Sequence, residues 1–350
     1  MIWNKNKNLE ITFILPTVNR KKYIIRAIES CLNINQNSII NSKVIVLDGN
    51  SDDGSWEMLN EKFSKNKNVI LKQISRKLGF QETAFMGLKY VNTEYCTFMY
   101  NDDVLSNYYN RLIEELIDNK QMFIMGYGKN VEVNNLYKFK KPIFKITSSK
   151  DIILNYFGFF QSLSHSSLPV SPIASVSKTS ILKNWEKEVR NFVFKSRFRH
   201  ELMMKKNIGP DLILYLYNLL LAEDKILLCS SIIAQLSFHN SSMSVVYGKP
   251  PLSTGYWLAR IWYFEKYLNN KNIDINYLSK LTAYLIVSGS YILILNLIFF
   301  NLKYVLGTSR EIIKIIKNSI KKRNLLRSFC YIPKIIINRF NRNKNKYTPE

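Results

Sequence analysis

The chain has 350 residues, 47% hydrophobic and 13% aromatic, enough for a large packed core and too apolar for wholesale disorder. Fifty Lys and Arg against 26 Asp and Glu give a formal charge of +24, so an anionic partner is expected: nucleic acid, acidic lipid or a phosphorylated substrate. Cys31, Cys96, Cys229 and Cys330 are scattered, with no Cys-x-x-Cys pair, and the three histidines lie far apart. That usage speaks against a disulfide framework and a zinc cluster, and for reduced thiols in a cytoplasmic protein. The N-terminal Met-Ile-Trp-Asn-Lys-Asn-Lys-Asn lacks the apolar core of a signal peptide, so export of the main domain is not expected.

In chain order, Ile11–Leu15 is an apolar run closed by Pro16 and predicts a first buried strand. Residues 17–33 carry apolar side chains at helical spacing. Lys43–Leu47 predicts a second strand, ending in the Asp- and Gly-rich run Asp48–Ser55, with a helix through Leu59 and Phe63 after it. Val69–Leu71 reads as a third strand and Gly79–Tyr90 as a third helix. Tyr95–Tyr100 is the fourth strand, and it runs into Asn101-Asp102-Asp103. Strands alternating with helices predict a parallel sheet flanked by helices, whose ligands bind at the carboxyl ends of the strands.

Thr17, Asp48 and the Asp102/Asp103 pair all fall at such ends. Two adjacent acids there cost desolvation and mutual repulsion unless a cation offsets them. Oxygen ligands suit Mg²⁺ or Mn²⁺ bridging to the phosphates of a nucleotide. Asp48 reads either as an ordinary turn acid or as an acceptor for a nucleotide base or ribose. There is no Gly-x-Gly-x-x-Gly after the first strand and no Gly-Lys-Ser/Thr loop, which speaks against a dehydrogenase and a P-loop NTPase.

Pro16-Thr17, Leu47 to Ser55, Gly79 through Gly87 and Asn101-Asp102-Asp103, in that order, resemble the family 2 glycosyltransferases of the GT-A fold. The resemblance implies that Pro16 and Thr17 flank the nucleotide of a nucleotide-sugar, Asp48 meets the base, and Arg76 is a second contact to it. It places Asp102 near the ribose and gives the metal, Mn²⁺ or Mg²⁺, to Asp103. Asn101 stands where that motif's first acid often does.

Farther on, Met122–Met125 and Val131–Phe139 could extend the sheet, and Leu168–Ala174 is a Pro- and Ser-rich loop. Gly209-Pro210-Asp211 opens a helix whose apolar face is Leu212, Leu216, Leu219 and Leu220. Asp211 either complements the helix dipole or, as the resemblance implies, is the general base of inverting transfer. Asp224, just before an apparent strand Ile226–Cys229, competes with it, and position favours Asp211. His239 reads as a structural histidine, or, in the resemblance, as a residue approaching the diphosphate.

Past Gly248, Trp257, Ile261, Phe264 and Leu268 predict an amphipathic helix, and residues 282–302 carry no charge, long enough to cross a bilayer. Ser288, Gly289, Ser290, Asn296 and Asn301 interrupt that stretch, so a buried helix or hairpin competes with a span. From Leu302 to Glu350 thirteen Lys/Arg face two acids, a net +11 of the total. Ile312, Ile316 and Ile320, with Lys314, Lys317 and Lys321 turned aside, predict a helix lying on an anionic membrane surface. The whole implies a GT-A α/β domain over residues 1–247 and a helical, basic C-terminal region over 248–350. The expected protein is a metal-dependent, inverting glycosyltransferase, peripheral on the inner face of the cell membrane. It would serve a glycan or lipid-linked acceptor in surface-polysaccharide synthesis. A basic nucleic-acid-binding protein is disfavoured because the charge concentrates in the tail while acids cluster at strand ends. A non-catalytic membrane scaffold with a degenerate transferase domain is the other alternative.

Overall fold

The computed structural model describes residues 9–37, 40–75, 78–159, 168, 171–222, 224–240, 242–270 and 272–345. The chain divides into two compact units: residues 1–147, 169–188 and 225–242 form one, and residues 148–168, 189–224 and 243–350 the other. The single boundary expected near residue 247 lies close to the last change of unit. Residues 148–168 and 189–224 nevertheless join the C-terminal helices.

Among the described residues, the first unit is built on nine strands. They are β1 (Leu9–Thr17), β2 (Ile40–Asp48), β3 (Val69–Gln73), β4 (Tyr95–Phe98), β5 (Val104–Leu105), β6 (Phe123–Glu132), β7 (Phe144–Ser148), β8 (Ser175–Lys178) and β9 (Lys225–Phe238). Their order is β3-β2-β1-β4-β8-β6-β9-β5, with β7 also pairing with β9. β3, β2, β1 and β4 are mutually parallel, as the alternating pattern predicts. β8 then reverses, running antiparallel to both β4 and β6. β6 runs parallel to β9, so the sheet is mixed on that side. The helices of this unit include α1 (Ile24–Leu32), α2 (Ser55–Phe63), α3 (Phe80–Gly87) and α4 (Tyr109–Asp118). α1 buries Ile24, Ala27, Ile28 and Cys31, one stripe at i, i+3, i+4 and i+7, against Phe13, Leu15, Val44 and Val46.

Several boundaries differ from the sequence reading. α1 starts at Ile24 rather than near Thr17, because Asn19 takes a left-handed backbone (φ 52°) and is held by the loop after β2. β4 stops at Phe98. β6 takes up the Met122–Met125 run and ends at Glu132, so the second strand expected through Phe139 does not form. The apparent strand Ile226–Cys229 is the opening of β9, which continues through buried Ile233, Ala234 and Gln235.

The second unit is helical. It holds α5 (Ser149–Tyr156), the end of α6 (Thr179–Phe194), α7 (Arg197–His200), α8 (Pro210–Leu221), α9 (Met243–Tyr247), α10 (Lys249–Leu268), α11 (Ile275–Ile298), α12 (Leu302–Lys321), α13 (Leu325–Phe329) and α14 (Ile332–Asn345). α8 packs between α5 and α10, and α11 packs on both α10 and α12. Trp257, Ile261 and Phe264 of α10 are buried, as the expected amphipathic helix requires.

α11 is long and apolar enough to cross a membrane by length and composition alone, yet half of its most apolar window is buried within the protein. Of the polar residues that interrupt it, Ser288 and Asn296 are buried, whereas Ser290 is exposed. Asn296 donates to the Thr254 hydroxyl at 3.3 Å, and Asn324 donates to the Thr282 hydroxyl at 2.9 Å. On α12, Ile315 is buried and Ile312 and Ile316 are half-buried, whereas Ile313 and Ile320 are exposed. The predicted row of Ile312, Ile316 and Ile320 is therefore mostly a packing face.

Arg199 is buried and donates to both carboxylate oxygens of Glu311, at 2.7 Å each, and to Glu265, also at 2.7 Å. This clamp joins α7, α10 and α12, and removing one partner would strand a buried charge. The tightest backbone approach is at the start of α8. Gly209 has φ 103°, and a Cβ there would lie 2.6 Å from the Gly255 carbonyl oxygen. Gly209→Ala is therefore expected to cost about 2 kcal/mol or more, since strain and clash add. Urea denaturation checks this, and an unchanged midpoint would mean that the helix start can move freely away from α10.

Candidate functional site

β1 and β2 run in register, with Thr17 opposite Asp48, so both strands open at their carboxyl ends into neighbouring loops. These loops are stapled together by short polar side chains. Asn19 donates to Asp52 at 2.8 Å and accepts the Asp52 N–H at 3.0 Å, while its own N–H reaches the Ser51 hydroxyl at 2.8 Å. The Arg20 N–H meets the Ser55 hydroxyl at 3.1 Å, and the Lys21 N–H meets Asp53 at 3.1 Å. Asp48 is fully buried and accepts from both the N–H and the hydroxyl of Ser51. In this geometry it shapes its own loop from behind.

In front of the stapled loops lies a cleft of about 360 Å³, with Pro16, Thr17, Val18 and Gly49 on one side and Leu78, Phe80 and Thr83 on the other. The Thr17 hydroxyl is buried at this cleft without a hydrogen-bond partner. Buried polar atoms in native proteins are almost always satisfied, so an orphan in a cleft wall points to a polar ligand. Arg76 lies outside the described residues.

The turn that carries the two acids touches the cleft lining through Asn101 and Tyr100. Asn101, where the motif's first acid often stands, donates to the Pro16 carbonyl at 3.3 Å, and Tyr100 packs 5.6 Å from the ring of Phe80. Asp103 is 4% exposed and accepts the Ser237 N–H at 2.7 Å. Burial first, and the neighbouring Asp102 second, push its carboxyl well above the usual carboxylate range. The Ser237 N–H and the Arg26 guanidinium pull the other way. Asp102 Oδ2 lies 3.0 Å from His239 Nε2, and the imidazole stacks on Tyr23 with ring centres 4.9 Å apart. Arg26 of α1 ties the turn down, donating to the carbonyls of Asp102 (2.8 Å) and Val133 (2.7 Å) and to the Ser237 hydroxyl (3.2 Å). Nothing in the sequence pattern marks Arg26, because its partners are 76 to 211 residues away.

The acid pair suits a divalent cation. Asp103 is a desolvated acid beside a like charge, the situation a cation relieves. Among the described residues no three His, Cys, Asp or Glu side chains gather as a cage. A Mg²⁺-type site needs only one or two protein carboxylates, with substrate phosphates and water completing the shell. Asp103, with Asp102 beside it, fits that role.

Asp211 lies in the second unit, in the first turn of α8. Its Oδ1 accepts the Leu212 N–H at 2.9 Å, and its Oδ2 accepts the Tyr256 hydroxyl at 3.2 Å. Burial raises its carboxyl to about 7, with those two hydrogen bonds pulling it down. Asp224 is an exposed turn residue after α8. Tyr256 was missed from sequence because it reads simply as one more aromatic of α10.

Comparison with known proteins bears on the family. The Glycosyl transferase family 2 profile matches residues 12–189, over half of the chain. The chain belongs to glycosyl transferase family 2. An uncharacterized glycosyltransferase of Haemophilus influenzae is 33% identical over 97 residues, covering 28% of this chain and 38% of that relative. The chain thus spans well under half of that relative's length. Among solved structures, S. aureus TarS 1–349 in complex with UDP is similar with a TM-score of 0.58 at 18% identity, covering 96% of this chain and 89% of that one. TarS 1–349 in complex with UDP-GlcNAc is similar with a TM-score of 0.56 at 16% identity, covering 81% of each chain. At such identities the likeness shows the fold, a GT-A-type mixed sheet flanked by helices with a helical C-terminal region.

The raised Asp103 carboxyl has a signed consequence. An acid whose folded pKa lies above its unfolded value loses stabilising contribution as pH rises beyond the unfolded value. Without metal at about pH 8, Asp103→Asn should therefore melt no lower than the wild type, since Asn can still accept the Ser237 N–H. Differential scanning fluorimetry checks this, and a large fall in melting temperature would show that the ionised carboxylate holds the turn together.

Proposed function

We propose that this family 2 glycosyltransferase moves a sugar from a nucleotide-sugar to a hydroxyl of a glycan or lipid-linked glycan, with inversion at the anomeric carbon. One observation carries the reading. The turn that carries buried Asp103 beside half-buried Asp102 touches, through Asn101 and Tyr100, a cleft whose wall holds the unpartnered Thr17 hydroxyl.

Pro16, Thr17 and Phe80 form the walls for the nucleoside, and Asp48 keeps the Gly49 side of the cleft in shape through Ser51. Arg76 is a further base contact carried from the family resemblance. TarS was solved with UDP and with UDP-GlcNAc, so a UDP-linked sugar is the first donor to test. Asp102 faces the ribose with His239 fixing its carboxylate, and His239 in turn lies toward the diphosphate. Asp103 would hold a divalent cation, which would supply charge neutralisation for the departing diphosphate.

The reaction forms a bond from the acceptor oxygen to the anomeric carbon as the bond to the diphosphate oxygen breaks. The acceptor proton goes to Asp211, the general base. A carboxyl raised to about 7 is a stronger base than an ordinary aspartate while still ionised in a large fraction near neutrality. The setting is the inner face of the cell membrane, where a lipid-linked acceptor would be met, in surface-polysaccharide synthesis. The Lys and Arg excess of residues 302–350 supports it.

Because the base must be ionised, kcat/KM should fall on the acid side with a midpoint near 7. Asp211→Asn should lower kcat by roughly a hundredfold or more with little change in donor affinity. Tyr256→Phe removes a hydrogen bond that favours the ionised form, so it should move the acid limb to higher pH. A transfer assay over pH with each UDP-sugar reads all three. Loss of turnover in Asp224→Asn, with Asp211→Asn active, would hand the base role to Asp224.

A further inference from the structure

α11 and α12 pack side by side and are joined by a turn of three residues, Phe299, Phe300 and Asn301. The turn closes α11 as a Schellman motif. The Asn301 N–H reaches the Asn296 carbonyl at 2.9 Å, and the Phe300 N–H reaches the Leu297 carbonyl at 3.0 Å. The left-handed position of that motif usually belongs to glycine, yet here it holds Phe300, with φ 53° and 87% exposed. A bulky residue in that conformation is an outlier, and one so exposed contributes little to folding.

Its neighbours share the exposure. Leu297, Ile298, Phe299, Leu302 and Leu306 are between 49% and 67% exposed. Along α12 the row continues with Ile313 and Ile320, each seven residues on from the last and so on one face. Arg310, Lys317 and Lys321 are exposed on the same helix.

We propose that this hairpin tip dips its aromatic and aliphatic side chains into the headgroup boundary of an anionic bilayer. Arg310, Lys317 and Lys321 then meet the lipid phosphates. The inference deepens the membrane setting proposed above and rests on it, but it moves the point of contact. Contact lies at the turn after α11 and along the exposed row of α12, rather than on the face of Ile312 and Ile316. Charge decides the occupant. A second copy would bring two +24 chains together through cationic faces, whereas an acidic bilayer is complementary to both the cations and the apolar tip. A span by α11 is disfavoured because Thr282, Ser288 and Asn296 are buried inside the unit.

The test is co-sedimentation of the full chain with vesicles of equimolar phosphatidylglycerol and phosphatidylcholine, alongside size-exclusion chromatography with light scattering. Phe300→Gly should reduce vesicle partition roughly tenfold or more, because one large apolar side chain no longer leaves water. Its melting temperature should stay level or rise, since glycine suits the left-handed position, and hydrolysis of the nucleotide-sugar should be unchanged. The pair Leu302→Ser and Leu306→Ser, which leaves the turn intact, should lose binding to a similar degree. Wild-type binding that these variants retain would overturn the tip while leaving the membrane setting in place. Absence of wild-type binding would overturn both. A dimer broken by Phe300→Gly, without vesicle binding, would make a second copy the occupant and overturn the proposal as well.

Discussion

One carboxylate taken out of water beside a second, half-buried one sets the terms for the first unit. Asp103 is buried against the Ser237 N–H, its ionised form opposed by desolvation and by Asp102. A turn carrying such a pair persists only if its backbone is held from several sides, and here three segments hold it. Arg26 reaches it from α1, Ser237 and His239 from the end of β9, and Asn101 anchors it to Pro16 at the cleft. The long β9 and the antiparallel β5 are what bring residues 237–239 to residues 102–103.

In the second unit Asp211 is held where burial raises its carboxyl and the Tyr256 hydroxyl meets it. Asp211 sits on α8 because Gly209 and Gly255 let the helix start and α10 approach to backbone distance, which brings Tyr256 to the carboxylate. A side chain at either glycine would push the two apart. The Arg199 clamp on Glu265 and Glu311 fixes α10 in turn against α7 and α12. The geometry of the proposed base thus depends on contacts far from it in sequence.

Much of this was legible from local pattern. Ile11–Leu15, Lys43–Leu47 and Val69–Leu71 announce parallel β1, β2 and β3, and the strand-end positions of Pro16-Thr17 and Asp48 announce that they meet at neighbouring loops. Pro210 announces the start of α8 and with it the place of Asp211. What stayed hidden depends on distant partners. β8 carries Ser175 and Ser177, buried at 1% each, and no apolar alternation marks it. The helix start after Thr17 was misplaced because Asn19 answers to Ser51 and Asp52 rather than to its own neighbours. The uncharged stretch 282–302 leaves a span and a buried helix open in sequence, and the hydrogen bonds of Asn296 and Thr282 to Thr254 and Asn324 favour the buried helix.

The central claim is that the Asp102–Asp103 turn is an acid pair completed by a cation and a nucleotide diphosphate. Calorimetric titration of UDP into the wild-type protein with Mn²⁺, at about pH 6 in buffers of differing ionisation enthalpy, tests it most directly. The account predicts binding that is lost on chelation and that releases protons, because the raised Asp103 carboxyl must ionise to meet the metal. Equal affinity in the chelator with no proton release would contradict it.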